Sequence, residues 1–341
     1  MVVRRTVLRG WGAAAISKVR GYLRRGGLRR FGSVERTNEL PKIAIVIVVW
    51  NGLEDTLECI QSLAKDRYPN KELVLVDNGS SDGSAEAVRK EWPGVHVVAL
   101  SRNAGFTGGN NAGLTEAFRL GAKYAFLLNN DTTVEPDALS ALVECAQREP
   151  GAAILAPVTH YYDAPGEVWF SGAVLDLARG EAVHQPAGAR MEEGAAYPSP
   201  WVTGCAMLVR LIAVELVGGL DDRFFLTWED VDWCVRMREE GWEVLVVPSA
   251  RIFHKCSRAT RRLGGIRCYY AVRNSLLLAQ KHAGLAYWSA LGWVVWNHFR
   301  ESCREVAGER ARCLAVLWEG LRDHWMGRYG CRPAALDRMR R

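Results

Sequence analysis

Between residues 43 and 128 four short apolar runs each stop abruptly at a polar or glycine-rich segment, and a helical pattern opens after each stop. The runs are Ile43–Val49, Leu73–Val76, Val95–Leu100 and Ala125–Leu128. The first is followed by Leu53, Leu57, Ile60 and Leu63, the spacing of one face of a helix. Later helices are expected up to Trp92 and Leu120, and another opens at Glu135-Pro136-Asp137. Four strand–helix alternations in about 100 residues predict a mostly parallel sheet with helices on both faces. Right-handed crossovers then bring the C-terminal strand ends to one edge. Ligands bind at that edge in open α/β sheets.

The segments collected there carry chemistry. They are Trp50-Asn51-Gly52, Asp77 to Ser84, the glycine-rich stretch Asn103 to Gly113, and Asn129-Asn130-Asp131. Glycine-rich entries to helices let backbone N–H groups approach phosphate and ribose closely. A carboxylate just past a buried strand, flanked by amides, suits Mg2+ or Mn2+, which take few protein ligands and use substrate phosphates for the rest. The same Asn-Asp-Thr can instead turn the chain and cap a helix. Trp50 can stack on a base or fill the core, and Asn110 and Asn111 can contact a nucleotide or cap the helix they enter. Asp82 reads as a turn residue. No GxGxxG follows the first strand and no Walker A sequence occurs, so two common nucleotide-binding modes are excluded.

From Ala153 the pattern changes. Strands are expected at Val168–Leu175 and Trp201–Arg210, separated by a Gly/Ala/Pro-rich loop over 186–200. Asp221 to Trp233 leads into a helix ending at Gly241, and Trp242–Val247 reads as a strand, with His254 on a loop beyond Pro248. Ile266–His282 is helical, and two further Trp- and Arg-rich helices reach Gly330. Residues 1–36 hold ten Lys or Arg and one acid, Glu35. Such an arm wants an anionic partner. Nine scattered cysteines without CxxC spacing argue against a disulfide framework or a zinc site, and for a reducing compartment. The apolar stretch 283–299 is short of the roughly 20 residues that span a bilayer, and its three Trp fit a helix lying on a surface.

In this order and at this spacing the motifs are specific: Val49-Trp50-Asn51, Val76 to Ser84, Asn103 to Gly113, Leu128 to Thr132, Trp228-Glu229-Asp230, His254, and Tyr269 to Asn274. Over roughly residues 42–280 the chain resembles an inverting family-2 glycosyltransferase of GT-A fold, near the bacterial rhamnosyltransferase-like subgroup. The resemblance implies a sheet that binds a nucleotide-diphosphate sugar, weakly dTDP-rhamnose, and a glycan or lipid-linked glycan acceptor. Asp77 resembles the acid on the nucleotide base. Asp131 resembles the last acid of the metal-binding DxD motif, whose first acid is here Asn129, with Asn130 between. His254 resembles the histidine that helps hold metal or diphosphate, Asp230 the catalytic base, and Arg273 and Asn274 diphosphate contacts.

The expected site is therefore Asp230 for catalysis, Asp131 and His254 for a divalent metal, and Trp50, Asn51, Asp77, Asn110, Asn111, Asn130, Asp131, Arg273 and Asn274 for the donor. Glu229 and Asp230 point about 100° apart on a helix, so only one can aim at the acceptor; spacing does not choose between them. The expected organisation is a basic arm (1–40), a transferase domain (41–265, with its nucleotide half at 41–150 and acceptor half at 151–265), and a helical membrane-associating region (266–341). The resulting picture is a peripheral enzyme on the cytoplasmic face of the membrane, bound to anionic lipid and not to nucleic acid. Acids at the sheet edge would repel nucleic-acid phosphates. The alternative is a non-catalytic nucleotide-sugar or glycan-binding module of the same fold.

Overall fold

The computed structural model describes residues 40–185, 194–256, 264–303 and 307–332. Residues 1–39 of the basic arm and residues 186–193 of the 186–200 loop lie outside the described residues.

The first half follows the alternation closely. Strands β1 (Ile43–Val49), β2 (Lys71–Asp77), β3 (His96–Ala99) and β4 (Tyr124–Asn129) alternate with helices α1 (Leu53–Lys65), α2 (Ser84–Glu91) and α3 (Gly105–Arg119). β1 pairs in parallel with both β2 and β4, and β2 with β3. β1 is wholly apolar and β-branched except for Ala44, and it is almost entirely buried, as a strand covered on both faces must be. Helix α3 lies close enough to β1 that a Cβ on Gly113 would fall inside the van der Waals shell of Val46, and one on Gly109 would meet Val48. These two glycines therefore serve helix–sheet packing.

The second half extends the same sheet. After β5 (Thr132–Val134) and α4 (Ala138–Arg148) comes β6 (Ala152–Tyr161), a long strand that the change of pattern at Ala153 conceals. Next are β7 (Val168–Phe170), β8 (Ala173–Asp176), β9 (Glu181–His184), β10 (Tyr197–Pro198), β11 (Ala206–Arg210) and α5 (Leu211–Val217). Helix α6 (Glu229–Glu239) and β12 (Glu243–His254) follow. Among the described residues ten strands form one sheet, ordered β10-β12-β6-β11-β4-β1-β2-β3, with β5 on β12 and β7 on β6. β11 runs antiparallel to β4 and to β6, so the sheet is parallel on one side and mixed on the other.

Three expectations are corrected here. Val168–Leu175 is not one strand: Gly172 at φ 121 breaks it, sending β7 to the main sheet and β8 into a separate hairpin with β9. Only the last half of Trp201–Arg210 is strand, because residues 201–205 bend away to line a cavity. Pro248 does not end β12. The strand shifts register between Val247 and Arg251, which accommodates the missing N–H, and continues to His254.

Helices α7 (Gly264–His282), α8 (Tyr287–Ser302) and α9 (Ala307–Trp325) close the described chain. Leu277 and Leu278 of α7 belong to the same buried cluster as Val46, Trp233 and Val246. The expected boundary at residue 265 thus runs beside a helix that shares the core of the sheet.

Candidate active site

Register places the first pair of functional side chains. β5 pairs antiparallel with the end of β12, matching Thr132 with His254. That match brings His254 Nε2 to 3.2 Å from Asp131 Oδ1, and both side chains are buried. The Lys255 amide donates to the Asp131 carbonyl at 3.0 Å and fixes the turn. Cys256 Sγ lies 3.5 Å from His254 Nδ1, and the Trp169 ring packs edgewise on the imidazole at 4.6 Å. Burial works against a charged His254, but Cys205 beside it and Asp131 on Nε2 outweigh that and raise its pKa. Burial in turn pushes the Cys205 thiol upward.

A divalent ion fits this pair. Adjacent ligands on an octahedral Mg2+ or Mn2+ stand about 3 Å apart, and the carboxylate oxygen and imidazole nitrogen are already at 3.2 Å. Among the described residues no group of three or more His, Cys, Asp or Glu is arranged to hold an ion. The protein would contribute two ligands and leave the remaining positions to water and phosphate.

The second feature is the segment that leads into α6. Phe225, Thr227 and Trp228 all have positive φ, at 62°, 64° and 72°. Such values cost about 1–3 kcal/mol for each non-glycine residue, and Thr227 is β-branched. The surroundings over-determine the conformation. Asn274 Nδ2 donates to the carbonyls of Phe224, Leu226 and Thr227 at 2.8–3.0 Å. Arg273 donates to the carbonyls of Arg223, Phe224 and Gly330, and its guanidinium stacks on Tyr269 and Tyr270. Phe225 stacks on Tyr270, and its carbonyl accepts from the Phe106 amide at 2.8 Å. Gly105, at φ 78, leaves room for that carbonyl.

This clamp delivers Glu229 and Asp230 to the first turn of α6. Asp230 Oδ2 accepts from the Gly204 amide and Oδ1 from its own neighbour Val231, both at 2.8 Å. Burial raises its pKa although those two N–H groups oppose the shift. Glu229 is buried more deeply. Burial first, and the Asp230 charge second, push its carboxyl well up, and Oε2 has no partner. The charge of the pair therefore rests on Asp230. Asp232 faces away and is tied to Arg236, Lys281 and His282, which joins α6 to α7.

Asp230 and His254 open on one cavity of about 540 Å³. Thr203, Gly204 and Cys205 form part of its wall, together with Trp169, His184 and Trp201. A carboxylate of raised pKa faces the same space as a metal-competent pair, an arrangement suited to moving a group from a diphosphate to a hydroxyl.

Comparison with known proteins agrees with this geometry. The profile described as Glycosyl transferase family 2 matches residues 44–203, and that of Glycosyl transferase family group 2 matches residues 124–316, more than half the chain. The chain belongs to glycosyltransferase family 2. It is 29% identical over 282 residues to an N-acetylglucosaminyl-diphospho-decaprenol L-rhamnosyltransferase of Mycobacterium tuberculosis, covering 76% of this chain and 90% of the relative. It is 24% identical to the dTDP-rhamnosyl transferase RfbF of Shigella flexneri, covering 70% and 80%. Its fold is similar to that of residues 1–349 of S. aureus TarS, with a TM-score of 0.54 at 14% identity over 82% of this chain and 80% of the other. GalNAc-T7, solved with UDP, GalNAc and Mn2+, also gives 0.54 at 18% identity, over 63% of this chain and 43% of the other. The fold is GT-A.

The structure of this glycosyltransferase distributes the expected donor residues unevenly. Asp77 ends β2 on the sheet edge; its Oδ1 accepts from the Ser80 amide, and Oδ2 has no hydrogen-bond partner among the described residues. Asn51, at φ 56, accepts from the Ser81 amide and ties the β1 and β2 loops together beside a half-buried Trp50. Asn130 reaches back to Thr56 Oγ1 at 3.1 Å and braces the start of α1. Asp82 caps α2 through Ser84 and holds the Leu53 amide, the turn role expected of it. The glycine-rich stretch approaches protein rather than open space, meeting Val46, Val48 and Phe225.

Four residues are placed away from the expected contacts. Arg273 and Asn274 are fully buried and committed to backbone carbonyls, so they act on the site through the loop that they hold. Asn110 donates to the Phe106 carbonyl inside α3, and Asn111 clasps Leu220 and Asp222. Trp169, His184 and Trp201 were not foreseen. Their only signal was the presence of these rings on either side of the 186–200 loop.

Asn274→Ala takes the side-chain donor from the Leu226 and Thr227 carbonyls and leaves Phe224 only its bond from Arg273, so unfolding in urea should show a loss of about 2–4 kcal/mol. Turnover should fall further than donor affinity, because the loop that aims Asp230 relaxes. Unchanged stability and turnover would contradict the clamp.

Proposed function

We propose that this enzyme transfers L-rhamnose from dTDP-rhamnose to N-acetylglucosamine linked through diphosphate to a polyprenol, with inversion at the anomeric carbon. The observation that carries the mechanism is that Asp230 and His254, with its partner Asp131, serve one cavity. The sugar and acceptor rest on the two rhamnosyltransferase relatives.

In the reaction the acceptor oxygen attacks the anomeric carbon as the bond from that carbon to the diphosphate oxygen breaks. Asp230 takes the hydroxyl proton, and the nucleoside diphosphate departs. The Gly204 and Val231 amides hold the Asp230 carboxylate in one orientation. Its raised pKa makes it a better base than an ordinary carboxylate at neutral pH. Asp131 and His254 would hold Mg2+ or Mn2+, which when bound supplies positive charge to the leaving diphosphate. Asp77 and Trp50, at the ends of β2 and β1, are assigned to the nucleotide base. The functional unit in this reading runs from residue 41 through α7, because Arg273 and Asn274 shape the catalytic loop.

A lipid-linked acceptor requires access to a membrane surface. Among the described residues no helix is long and apolar enough to cross a bilayer. Helix α8 instead presents Leu285 of the preceding turn, Trp288, Trp296 and Phe299 to solvent, with Trp288 71% and Trp296 57% exposed. Their spacing sets them along one face, and Trp at an interface anchors a helix lying in the membrane plane. The same helix touches the cavity wall: Trp293 Nε1 donates to Glu181 of the β8–β9 hairpin, and Arg179 lies over the Trp293 ring. We assign this face, with the basic arm at residues 1–36, to the anionic cytoplasmic leaflet.

Asp230→Asn should lower turnover about 10²–10⁴-fold with dTDP-rhamnose still bound. Chelation should abolish transfer, with Mn2+ or Mg2+ restoring it. In the unaltered enzyme kcat/KM should fall as pH drops through a value above the usual aspartate pKa of about 3.9, because protonation removes the base. Retained turnover in Asp230→Asn would overturn the assignment. Trp288→Ser with Trp296→Ser should release the protein from vesicles containing anionic lipid in a flotation assay; undiminished binding would remove α8 from the membrane contact.

A further inference from the structure

One wall of the cavity is aromatic: Trp169 of β7 and Trp201 ahead of β11 stand there with His184 of the β8–β9 hairpin, none of them used by the chemistry above. His184 ends β9, opposite Ala173 of β8. Its ring sits among Trp169 at 4.9 Å, Phe170 at 5.1 Å and Trp201 at 5.7 Å, the first two nearly perpendicular to it. Nδ1 lies 3.1 Å from the Trp169 carbonyl. A carbonyl only accepts, so Nδ1 carries the hydrogen and Nε2 of the neutral ring keeps its lone pair. Burial lowers the pKa of the ring and favours that neutral form, while Asp230 is near enough to act on its charge. Among the described residues Nε2 has no hydrogen-bond partner, and His184 lines the cavity. The site thus offers a fixed hydrogen-bond acceptor set among indole rings, beside the base.

That combination matches a sugar ring, which has hydroxyl donors at its edge and apolar C–H faces. We infer that His184 is a specificity-determining residue for the acceptor, its Nε2 accepting a hydrogen bond from a hydroxyl of the acceptor sugar held against Trp169 and Trp201. The inference rests on the reading that Asp230 deprotonates the acceptor. The acceptor is favoured over the donor because His184 and Asp230 line one cavity, whereas Trp169 packs between His184 and His254.

The test uses the full chain, dTDP-rhamnose, and farnesyl-diphospho-N-acetylglucosamine with its singly deoxygenated analogues. His184→Phe keeps a ring and removes the lone pair; His184→Gln restores an acceptor atom. His184→Phe should raise the acceptor KM about tenfold, the effect of one hydrogen bond, with donor affinity by calorimetry unchanged. His184→Gln should recover most of the loss. On one deoxy acceptor the unaltered enzyme and His184→Phe should become equal, a result that a packing defect would not produce. Equal losses on every acceptor, a matching loss of donor affinity, or no effect in His184→Phe would overturn the inference. Absence of transfer to any acceptor by the unaltered enzyme would instead remove the reading beneath it.

Discussion

The carbonyl oxygens of Arg223, Phe224, Leu226 and Thr227 are gripped from α7 by Arg273 and Asn274, and the position of the Asp230 carboxylate depends on that grip. Three non-glycine residues in a left-handed conformation within four positions cost together about 3–9 kcal/mol. A typical hydrogen bond returns about 0.5–1.5 kcal/mol net, and one from a charged guanidinium about 1.5–3. Five such contacts, with Phe224 and Phe225 buried beneath them, are of the size needed to hold the strained segment. The strain has a use. It ends with Trp228 in the left-handed region as the cap of α6, so the chain turns sharply and sets Asp230 against the Gly204 amide rather than along the helix.

The other half of the site is held by sheet register. His254 and Asp131 are 123 positions apart, and they meet because β5 folds back on the end of β12. A one-residue slip would turn His254 to the other face and separate the pair. The bulge between Val247 and Arg251 lets β12 pass Pro248 and still reach that register. Rigid register thus sets the metal-competent pair, and a strained loop clamped by a helix sets Asp230. The cavity lies where these two supports meet.

Much of this was legible in the chain. Apolar runs such as Ile43–Val49 and Tyr124–Asn129 are buried on both faces, and burial of that kind writes itself into composition. Asp131, His254 and Asp230 stood out as candidates because their motifs lie at the ends of such elements. The hairpin was not legible: β8 and β9 are four residues each, half exposed, and broken from β7 by the backbone angle of Gly172. Arg273 and Asn274 were recognised as residues of the site but assigned to the wrong partner. A buried guanidinium and amide can serve phosphate or backbone carbonyls equally well, and only the packed loop decides. The glycines of α3 posed the same ambiguity, between approach to a ligand and approach to β1.

The hairpin joins two features of the site that are remote in sequence. Its inner face carries His184 and Ala182 into the cavity, its paired Val174 and Val183 face outward, and its tip rests on α8. Helix α8, with its exposed Trp288 and Trp296, and the hairpin that lines the cavity are therefore in direct contact. The central claim is a single displacement in which Asp230 acts on the acceptor while the diphosphate leaves. The most direct measurement is the anomeric configuration of the product formed from dTDP-rhamnose, read by NMR. A configuration opposite to that of the donor is the predicted result; retention of the donor's configuration would contradict the account.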